Sequence, residues 1–216
     1  MYNIFNFNSF LKEEYSKNSP IPELFEKDKL GIILLGLPGS GKSTFARNVI
    51  SKYQSNIKSF STDDISLSIT KDPNKYHDGS SELNTKYLLN YIKSGQNFIY
   101  DTTGVNKESI FDIYKSAKKQ GYKVLFILML IDLDTAKNQN LLRFKKGGHK
   151  TDQDYIEFVY SSQLRTTKDF LKYLKPDQFY IVNNKDGKYK YFKHTGDEIL
   201  KRKVNKYVPF KNPIKL

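Results

Sequence analysis

Cysteine is absent from this chain of 216 residues, and histidine occurs three times, at His77, His149 and His194. A disulfide scaffold, a thiolate metal centre and a cysteine nucleophile are therefore excluded, and a histidine-rich metal site has little support. The longest uninterrupted apolar run, residues 124–131, is far too short to span a membrane. The first residues lack the basic start and apolar core of a signal peptide, so we expect a cytoplasmic protein with no membrane partner.

Arginine is also scarce, whereas lysine is abundant, and the formal net charge is +13. The four arginines are Arg47, Arg143, Arg165 and Arg202. Residues 1–142 carry a net charge of +3 and residues 143–216 a net charge of +10. A uniform codon bias toward lysine does not concentrate charge in this way. The basic C-terminal third therefore leaves open a contact with nucleic acid.

Short apolar runs alternate with longer amphipathic segments in the middle of the chain. The predicted strands are Leu30–Leu35, Ile57–Phe60, Phe98–Tyr100, Lys123–Ile131 and Phe179–Val182. The predicted helices are Ser43–Tyr53, Glu82–Lys93, Lys107–Lys119, Thr135–Lys146 and Asp154–Leu174. This alternation predicts an α/β fold with a parallel five-stranded sheet flanked by helices. Residues 184–187 further predict a turn into Tyr189–Phe192.

We divide the chain into three parts on composition. Residues 1–28 contain Pro20 and Pro22 and are predicted to form an N-terminal extension. Residues 29–192 hold the alternating strands and helices and are predicted to form one domain. Residues 193–216 are lysine-rich, contain two further prolines and are predicted to form a basic tail.

A phosphate-binding loop follows the first predicted strand. Residues 36–43, GLPGSGKS, match G-x-x-x-x-G-K-[S/T] and lead directly into a predicted helix. Glycines let backbone N–H groups point at an anion at the helix N-terminus, the lysine reaches the β- and γ-phosphates, and the serine hydroxyl ligates Mg²⁺. The sequence therefore predicts a P-loop NTPase-type domain that binds ATP with Mg²⁺. Its predicted nucleotide-binding residues are Gly36, Pro38, Gly39, Ser40, Gly41, Lys42, Ser43 and Thr44.

An acidic pair follows the second predicted strand, in the segment STDD of residues 61–64. The carboxyl end of that strand is expected beside the phosphate site in an open α/β sheet. We predict that Asp63 accepts a proton from an attacking hydroxyl or holds the Mg²⁺ shell, and that Asp64 contacts the substrate. The same residue types are typical of a helix N-cap, which is the structural alternative.

A second carboxylate follows the third predicted strand, in the segment DTTG of residues 101–104. Asp101 and Thr103 are predicted to hold a hydroxyl-bearing substrate or a metal-bound water, and helix capping is again the alternative. Asp101-x-x-Gly104 also matches the γ-phosphate motif of GTPases. A GTPase should carry N-K-x-D near the fifth strand, but this chain has Gly187 in place of that aspartate.

Basic residues end the helix after the fourth predicted strand, where Arg143, Lys145 and Lys146 precede GGH at 147–149. Cations on a glycine-hinged segment over a nucleotide neutralise charge on a transferring phosphoryl group. We therefore predict a lid in which Arg143 is catalytic, because arginine keeps its charge and forms two parallel hydrogen bonds. Arg165 is a further candidate for substrate binding. The alternative is a helix C-terminus with cations on its dipole and a glycine cap.

Together these segments resemble the zeta-toxin-like and polynucleotide-kinase-like P-loop kinases, over about residues 29–191. The resemblance rests on GLPGSGKS, STDD, a strand ending in YDTTG, the run QGYKVLFILMLI and the basic residues before GGH. It implies that Asp63 is the general base, that Asp101 with Thr103 binds the acceptor, and that Arg143 stabilises the γ-phosphoryl group. Zeta-like members often have Val-Pro after GGH, where this chain has Lys150 and Thr151. Polynucleotide kinases usually have an arginine three residues after the base, where this chain has Ser66.

Three functions follow from the sequence. The first is an ATP-dependent kinase, with Lys42, Asp63 and Arg143 catalytic, acting on a hydroxyl of a sugar nucleotide, another small molecule or a polynucleotide 5′-end. The second is a nucleotide-binding switch or regulatory module without acceptor chemistry. The third is a nucleic-acid binder with a vestigial P-loop. A labelled product separates the kinase from the other two.

Overall fold

The computed structural model describes residues 29–53, 57–72, 75, 78–185 and 188–193. Within these residues, six strands form one sheet: β1 Leu30–Gly36, β2 Ile57–Ser61, β3 Asn97–Thr102, β4 Lys123–Leu130, β5 Gln178–Lys185 and β6 Lys188–Lys193. The described ranges also hold six helices: α1 Lys42–Tyr53, α2 Thr62–Thr70, α3 Ser80–Ile92, α4 Lys107–Lys119, α5 Leu133–Lys145 and α6 Gln153–Tyr173. The predicted extension, residues 1–28, lies outside the described residues, as does the predicted tail, residues 193–216, apart from Lys193, which ends β6.

The strand order is β2-β3-β1-β4-β5-β6. The first five strands in this order run parallel to their neighbours, and β6 pairs antiparallel with β5. The predicted parallel five-stranded sheet flanked by helices is therefore confirmed, and the predicted segment Tyr189–Phe192 lies in the sixth strand. Helices connect the parallel strands, as parallel pairing requires a long crossover.

The central strands β1 and β4 are apolar because both of their faces are covered. All seven residues of β1 are buried. Ile32 and Leu34 pack with Phe45 and Val49 of α1 on one face, in one hydrophobic cluster. Ile33 and Leu35 belong to the larger cluster on the other face, which includes residues of α3, α4 and α6. Burial on both faces explains why the sequences of these strands are continuously apolar instead of alternating between apolar and polar residues.

A smaller apolar cluster lies where β1 and β4 end. Leu37, Ile131 and Ala136 pack there with Ile156 and Val159, which are on α6. This cluster joins the phosphate loop to the helices α5 and α6. It therefore sets the position of the segment between those two helices relative to the loop.

The register of the sheet aligns the ends of three strands. Asp101 of β3 pairs with Leu34 of β1 on one side and with Ser61 of β2 on the other. The residues after each strand consequently meet at the same edge of the sheet, where ligands of open α/β folds bind. Among the residues described, no helix has both the length and the apolar character needed to cross a lipid bilayer.

Candidate active site

The phosphate loop connects β1 to α1 in a tight turn. Gly39 and Gly41 have φ values of +84° and +90°, which side chains rarely tolerate. A Cβ at Gly39 would lie 2.5 Å from the carbonyl oxygen of Ala136, so the loop backbone packs directly on α5. A Cβ at Gly36 would lie 2.8 Å from Oγ of Ser40, so this glycine is required by close packing. The loop is thus fixed in shape by contacts on both sides.

Lys42 and Ser43 of this loop both approach Asp101. The Nζ of Lys42 donates to the carbonyl oxygens of Gly36 at 3.0 Å and of Leu37 at 2.8 Å. It lies 4.0 Å from Oδ1 of Asp101. The hydroxyl of Ser43 donates to Oδ2 of Asp101 at 2.7 Å. Asp101 therefore lies beside the two P-loop side chains that contact phosphate and metal in P-loop NTPases.

Burial shifts the protonation equilibria of this charged pair in opposite directions. Burial lowers the pKa of the Lys42 ammonium, although the nearby carboxylates of Asp101 and Asp63 oppose the shift. Burial raises the pKa of the Asp101 carboxyl, opposed by the charge of Lys42 and the hydrogen bond from Ser43. Each charge partly offsets the desolvation of the other, as expected for an ion pair shielded from water.

The acidic segment after β2 forms the first turn of α2. Ser61 is the N-cap of this helix, and its hydroxyl accepts from the backbone N–H of Asp64 at 3.1 Å. Asn106 caps α4 in the same way, accepting from the N–H of Ser109 at 3.1 Å. Ser61 therefore provides the side-chain cap of α2 and Asn106 that of α4, in place of the aspartates. The carboxylates of Asp63 and Asp101 are left for other interactions.

Arg143 of α5 reaches across the cleft to Asp63, with 3.6 Å between its Nη1 and Oδ2 of the carboxylate. Its Nη2 donates to Oγ1 of Thr151 at 3.1 Å and to Oδ1 of Asn140 at 3.3 Å. A Cβ at Gly148 would lie 2.7 Å from Cγ of Arg143, so the glycine makes room for the arginine stem. Arg143 also lies in the last turn of α5, where a cation interacts favourably with the helix dipole. Its position is therefore compatible both with the predicted catalytic role and with the alternative of a cation at a helix C-terminus.

These groups line one cleft of about 710 Å³. The sequence-predicted residues on its surface are Pro38, Gly39, Gly41, Lys42, Ser43, Thr44, Asp63, Asp101, Thr103 and Arg143. Gly36 and Ser40 lie behind this surface and shape the loop. Asp64 and Arg165 are exposed and do not line the cleft, so their predicted contacts with substrate find no support in this arrangement.

Arg47 and Tyr155, which line the cleft, and Asn140, which lies next to it, were not singled out by the sequence. Arg47 of α1 lines the cleft, and its Nη2 donates to Oγ1 of Thr44 at 3.4 Å. Its position four residues after Ser43, on the same helix face, was the signal available for it. Tyr155 of α6 also lines the cleft, and its hydroxyl lies 3.3 Å from Oγ1 of Thr103. Asn140 does not line the cleft, but its Oδ1 accepts a hydrogen bond from Nη2 of Arg143. No motif marks Tyr155 or Asn140 in the sequence.

The donor set suits Mg²⁺ better than a transition metal. Among the described residues, no three histidine or carboxylate side chains form a ready-made metal cluster. A hydroxyl and a carboxylate 2.7 Å apart are hard oxygen donors, and Mg²⁺ usually takes one or two protein ligands plus phosphate oxygens and water. Ser43 and Asp101 therefore fit the ion, and the predicted participation of Asp63 stays a prediction.

Known proteins resemble this chain in sequence and in fold. A protein of Autographa californica nuclear polyhedrosis virus, named as a bifunctional polynucleotide kinase/RNA ligase, is 28% identical over 155 residues, which are 67% of this chain. The match covers 22% of the viral protein, so the chain corresponds to a small part of that relative.

Solved structures share the architecture at low sequence identity. A chain of the PezAT toxin–antitoxin system of Streptococcus pneumoniae has a TM-score of 0.62 and 16% identity, covering 94% of this chain and 88% of its own length. The complex AvrRxo1-ORF1:-ORF2 with ATP also gives 0.62 and 16%, covering 84% of this chain and 65% of the other. These likenesses establish the fold.

The family comparison covers most of the sequence. The model of the zeta toxin family matches residues 12–196 and so includes every residue that lines the cleft. The chain belongs to the zeta toxin family.

Proposed function

We propose that this protein is an ATP-dependent kinase that transfers the γ-phosphoryl group of ATP to a hydroxyl of an acceptor. The observation that carries the proposal is that one cleft brings Lys42, Ser43 and Asp101 together with the ion pair of Asp63 and Arg143. The family membership supports a phosphotransferase, and a structural relative was solved with ATP.

Each side chain has a part in this reaction. The phosphate loop binds the β- and γ-phosphates, and Lys42 exchanges its carbonyl partners for phosphate oxygens. Asp63 takes the proton of the acceptor hydroxyl as its oxygen bonds to the γ-phosphorus. The bond from that phosphorus to the bridging oxygen breaks, and ADP leaves. Arg143 neutralises the charge on the transferring group.

Mg²⁺ would be held by Ser43 and Asp101. When bound, the ion supplies positive charge to the phosphate oxygens. The protein residues provide the rest: Asp101 orients the Ser43 hydroxyl through their hydrogen bond, and burial of both Lys42 and Asp101 keeps water from their charges.

The acceptor class is decided by a transfer assay. The protein is incubated with γ-labelled ATP and either sugar nucleotides or 5′-hydroxyl oligonucleotides, and labelled products are separated. We expect a labelled product in one of these arms. Nucleotide-dependent binding of a partner without any labelled product would favour the regulatory module instead.

Replacing the proposed base tests the mechanism. Asp63→Asn should reduce phosphoryl transfer by about 10²-fold or more, because the amide accepts no proton. ATP binding should stay nearly unchanged, since Asp63 belongs to the first turn of α2 and is not part of the phosphate loop. The matched control is Asp112→Asn, an exposed carboxylate on α4 outside the cleft. Wild-type turnover by Asp63→Asn would contradict the assignment.

A further inference from the structure

The segment between α5 and α6 is tied back to α5 by one side chain. Asn140 is 3% exposed, and its Nδ2 donates to the carbonyl oxygen of Thr151 at 2.8 Å. The backbone N–H of Thr151 donates in return to Oδ1 of Asn140 at 3.3 Å. The amide of Asn140 therefore pairs with the main chain of Thr151 as a neighbouring strand would. These two residues form what we call the Asn140–Thr151 clasp.

The clasp also holds Arg143. The Nη2 of Arg143 donates to Oγ1 of Thr151 at 3.1 Å and to Oδ1 of Asn140 at 3.3 Å, so each member of the clasp accepts one hydrogen bond from it. The Nε of Arg143 is buried. Its Nη1 is directed to the other side, 3.6 Å from Asp63. One edge of the guanidinium is thus bound to the clasp while the other faces the proposed base.

The clasp is connected to the phosphate loop through α5. A Cβ at Gly39 would lie 2.5 Å from the carbonyl oxygen of Ala136 and 3.4 Å from the backbone nitrogen of Asn140. The turn of α5 that carries Asn140 therefore packs on the loop itself. A guanidinium fixed on this turn keeps a constant position relative to the phosphate site.

We propose that Asn140 and Thr151 are positioning residues, which fix the guanidinium of Arg143 over the phosphate site before substrate arrives. The catalytic part of this inference rests on the proposed kinase function. A free arginine side chain samples many rotamers, and confining it in advance lowers the entropic cost of reaching the transition state. Donors that are already oriented also need no reorganisation during transfer.

The position of Arg143 is measured without any enzymatic activity. The chain has four arginines, so the arginine Nε–H region of a ¹⁵N spectrum is sparse, and the Arg143 signal is assigned by its absence in Arg143→Lys. We expect Thr151→Val to shift this signal and to speed its exchange with water, because valine keeps the size of threonine but lacks the hydroxyl. Thr151→Ser restores the hydroxyl and should restore the signal.

Turnover of ATP gives the second readout. Thr151→Val should lower kcat by about tenfold while changing KM for ATP by less than about twofold, because a misplaced guanidinium affects the transition state more than ground-state binding. Asn140→Ala should act in the same direction, and the double variant should show less than the sum of both effects, since the residues act as one unit. The control is Thr166→Val, whose hydroxyl bonds to the carbonyl of Ser162 within α6.

The results separate the two proposals. An Arg143 signal that stays unchanged in Thr151→Val overturns the inference whatever the activity of the protein. A shifted signal with wild-type kcat overturns the catalytic part. If the wild type transfers no phosphate to any acceptor or to water, the kinase proposal fails, and the spectrum alone then confirms or refutes the positioning of Arg143.

Discussion

Lys42 and Asp101 carry opposite charges in a site that is largely shielded from water, with each residue 8% exposed. Burial lowers the pKa of the lysine and raises the pKa of the aspartate, and the opposite charge of the partner counters each shift. Deleting one partner leaves the other as an uncompensated buried charge, which destabilises the fold as well as the site. Informative substitutions at this pair are therefore those that preserve shape and hydrogen bonding.

Asp101→Asn meets that condition, because the amide oxygen still accepts from the Ser43 hydroxyl while the charge is removed. Mg²⁺ should strengthen ATP binding about tenfold less in this variant than in the wild type, because the variant has lost a charged group that orients a metal ligand. Binding in EDTA should be unchanged or tighter, because a negative charge near the phosphates is gone. Titration with a fluorescent ATP analogue in Mg²⁺ and in EDTA measures both. Equal Mg²⁺ dependence in Asp101→Asn and Asp112→Asn would refute the metal assignment.

Tyr122 gives a pH-dependent contribution to stability. Its hydroxyl donates to the carbonyl oxygens of Gln96 at 2.7 Å and Ile92 at 3.2 Å, and burial raises its pKa to about 12. The unfolded state loses this proton near pH 10 and the folded state only near pH 12, so alkali favours unfolding across that window. Tyr122→Phe removes this pH-dependent contribution together with the two hydrogen bonds.

The variant should accordingly be less stable than the wild type at pH 8, by about 1–3 kcal/mol. The difference between the two proteins should shrink as the pH rises from about 10 to about 12, where the wild type loses the stabilising contribution of its neutral phenol. Urea unfolding at several pH values measures the free energy of each protein. A difference that stays constant over this range would show that Tyr122 does not titrate as described.

At the scale of elements, the close contact between the phosphate loop and α5 constrains the site. Gly39→Ala would place a Cβ 2.5 Å from the carbonyl of Ala136 at a positive φ of +84°. Gly121 offers a matched control, because its φ is +79° but a Cβ there would meet no atom within 4 Å. Both alanines carry the strain of a left-handed conformation, which is about 1–2 kcal/mol.

Gly39→Ala should lower the free energy of unfolding more than Gly121→Ala does, and it alone should weaken ATP binding, since the loop must move away from α5. Thermal unfolding and ATP titration of the two variants provide the comparison. If both variants lose equal stability and both bind ATP normally, the loop is not held by α5.

Most elements were predictable because their sequence patterns are local. The bounds predicted for Lys107–Lys119 match the structure, and the other predicted strands and helices begin and end within a few residues of the observed ones. The sequence pattern also indicated strand β6, although the turn predicted over residues 184–187 includes two residues of β5, and residues 186 and 187 lie outside the described residues. The strand order was not predictable from these patterns, because it depends on which elements pack together over the two faces of the sheet.

The site was predictable in its residues but not in its contacts. Strand ends and the P-loop motif indicated Ser43, Asp63 and Asp101, because parallel strands bring their carboxyl ends to one edge. The hydrogen bond from Ser43 to Asp101 joins residues 58 positions apart, and no local pattern encodes it. Asn140 and Tyr155 were not predictable for the same reason, because their hydrogen-bond partners depend on how α5 and α6 pack against the rest of the fold.

At the scale of the whole molecule, positive charge is concentrated beyond the phosphate site. Residues 143–216 carry the net charge of +10, and residues 194–216 contribute six basic and two acidic side chains to it. The cleft itself is already lined by the cationic side chains of Lys42, Arg47, Arg143 and Lys150. The surplus is therefore available to a polyanionic acceptor, which is the reason to test nucleic acid against small acceptors.

Replacing Lys201, Lys203 and Lys206 with glutamine in the full chain tests that idea. If these lysines bind a 5′-hydroxyl oligonucleotide, affinity should fall, and the slope of log K against log salt should decrease by about 0.7 for each phosphate that is no longer neutralised. ATP binding should not change. The control replaces Lys86, Lys115 and Lys119, exposed lysines of α3 and α4 outside the cleft, which removes the same charge. Equal reductions in affinity in both triple variants would mean that net charge alone governs binding, and unchanged affinity in both would show that the three tail lysines do not bind the oligonucleotide.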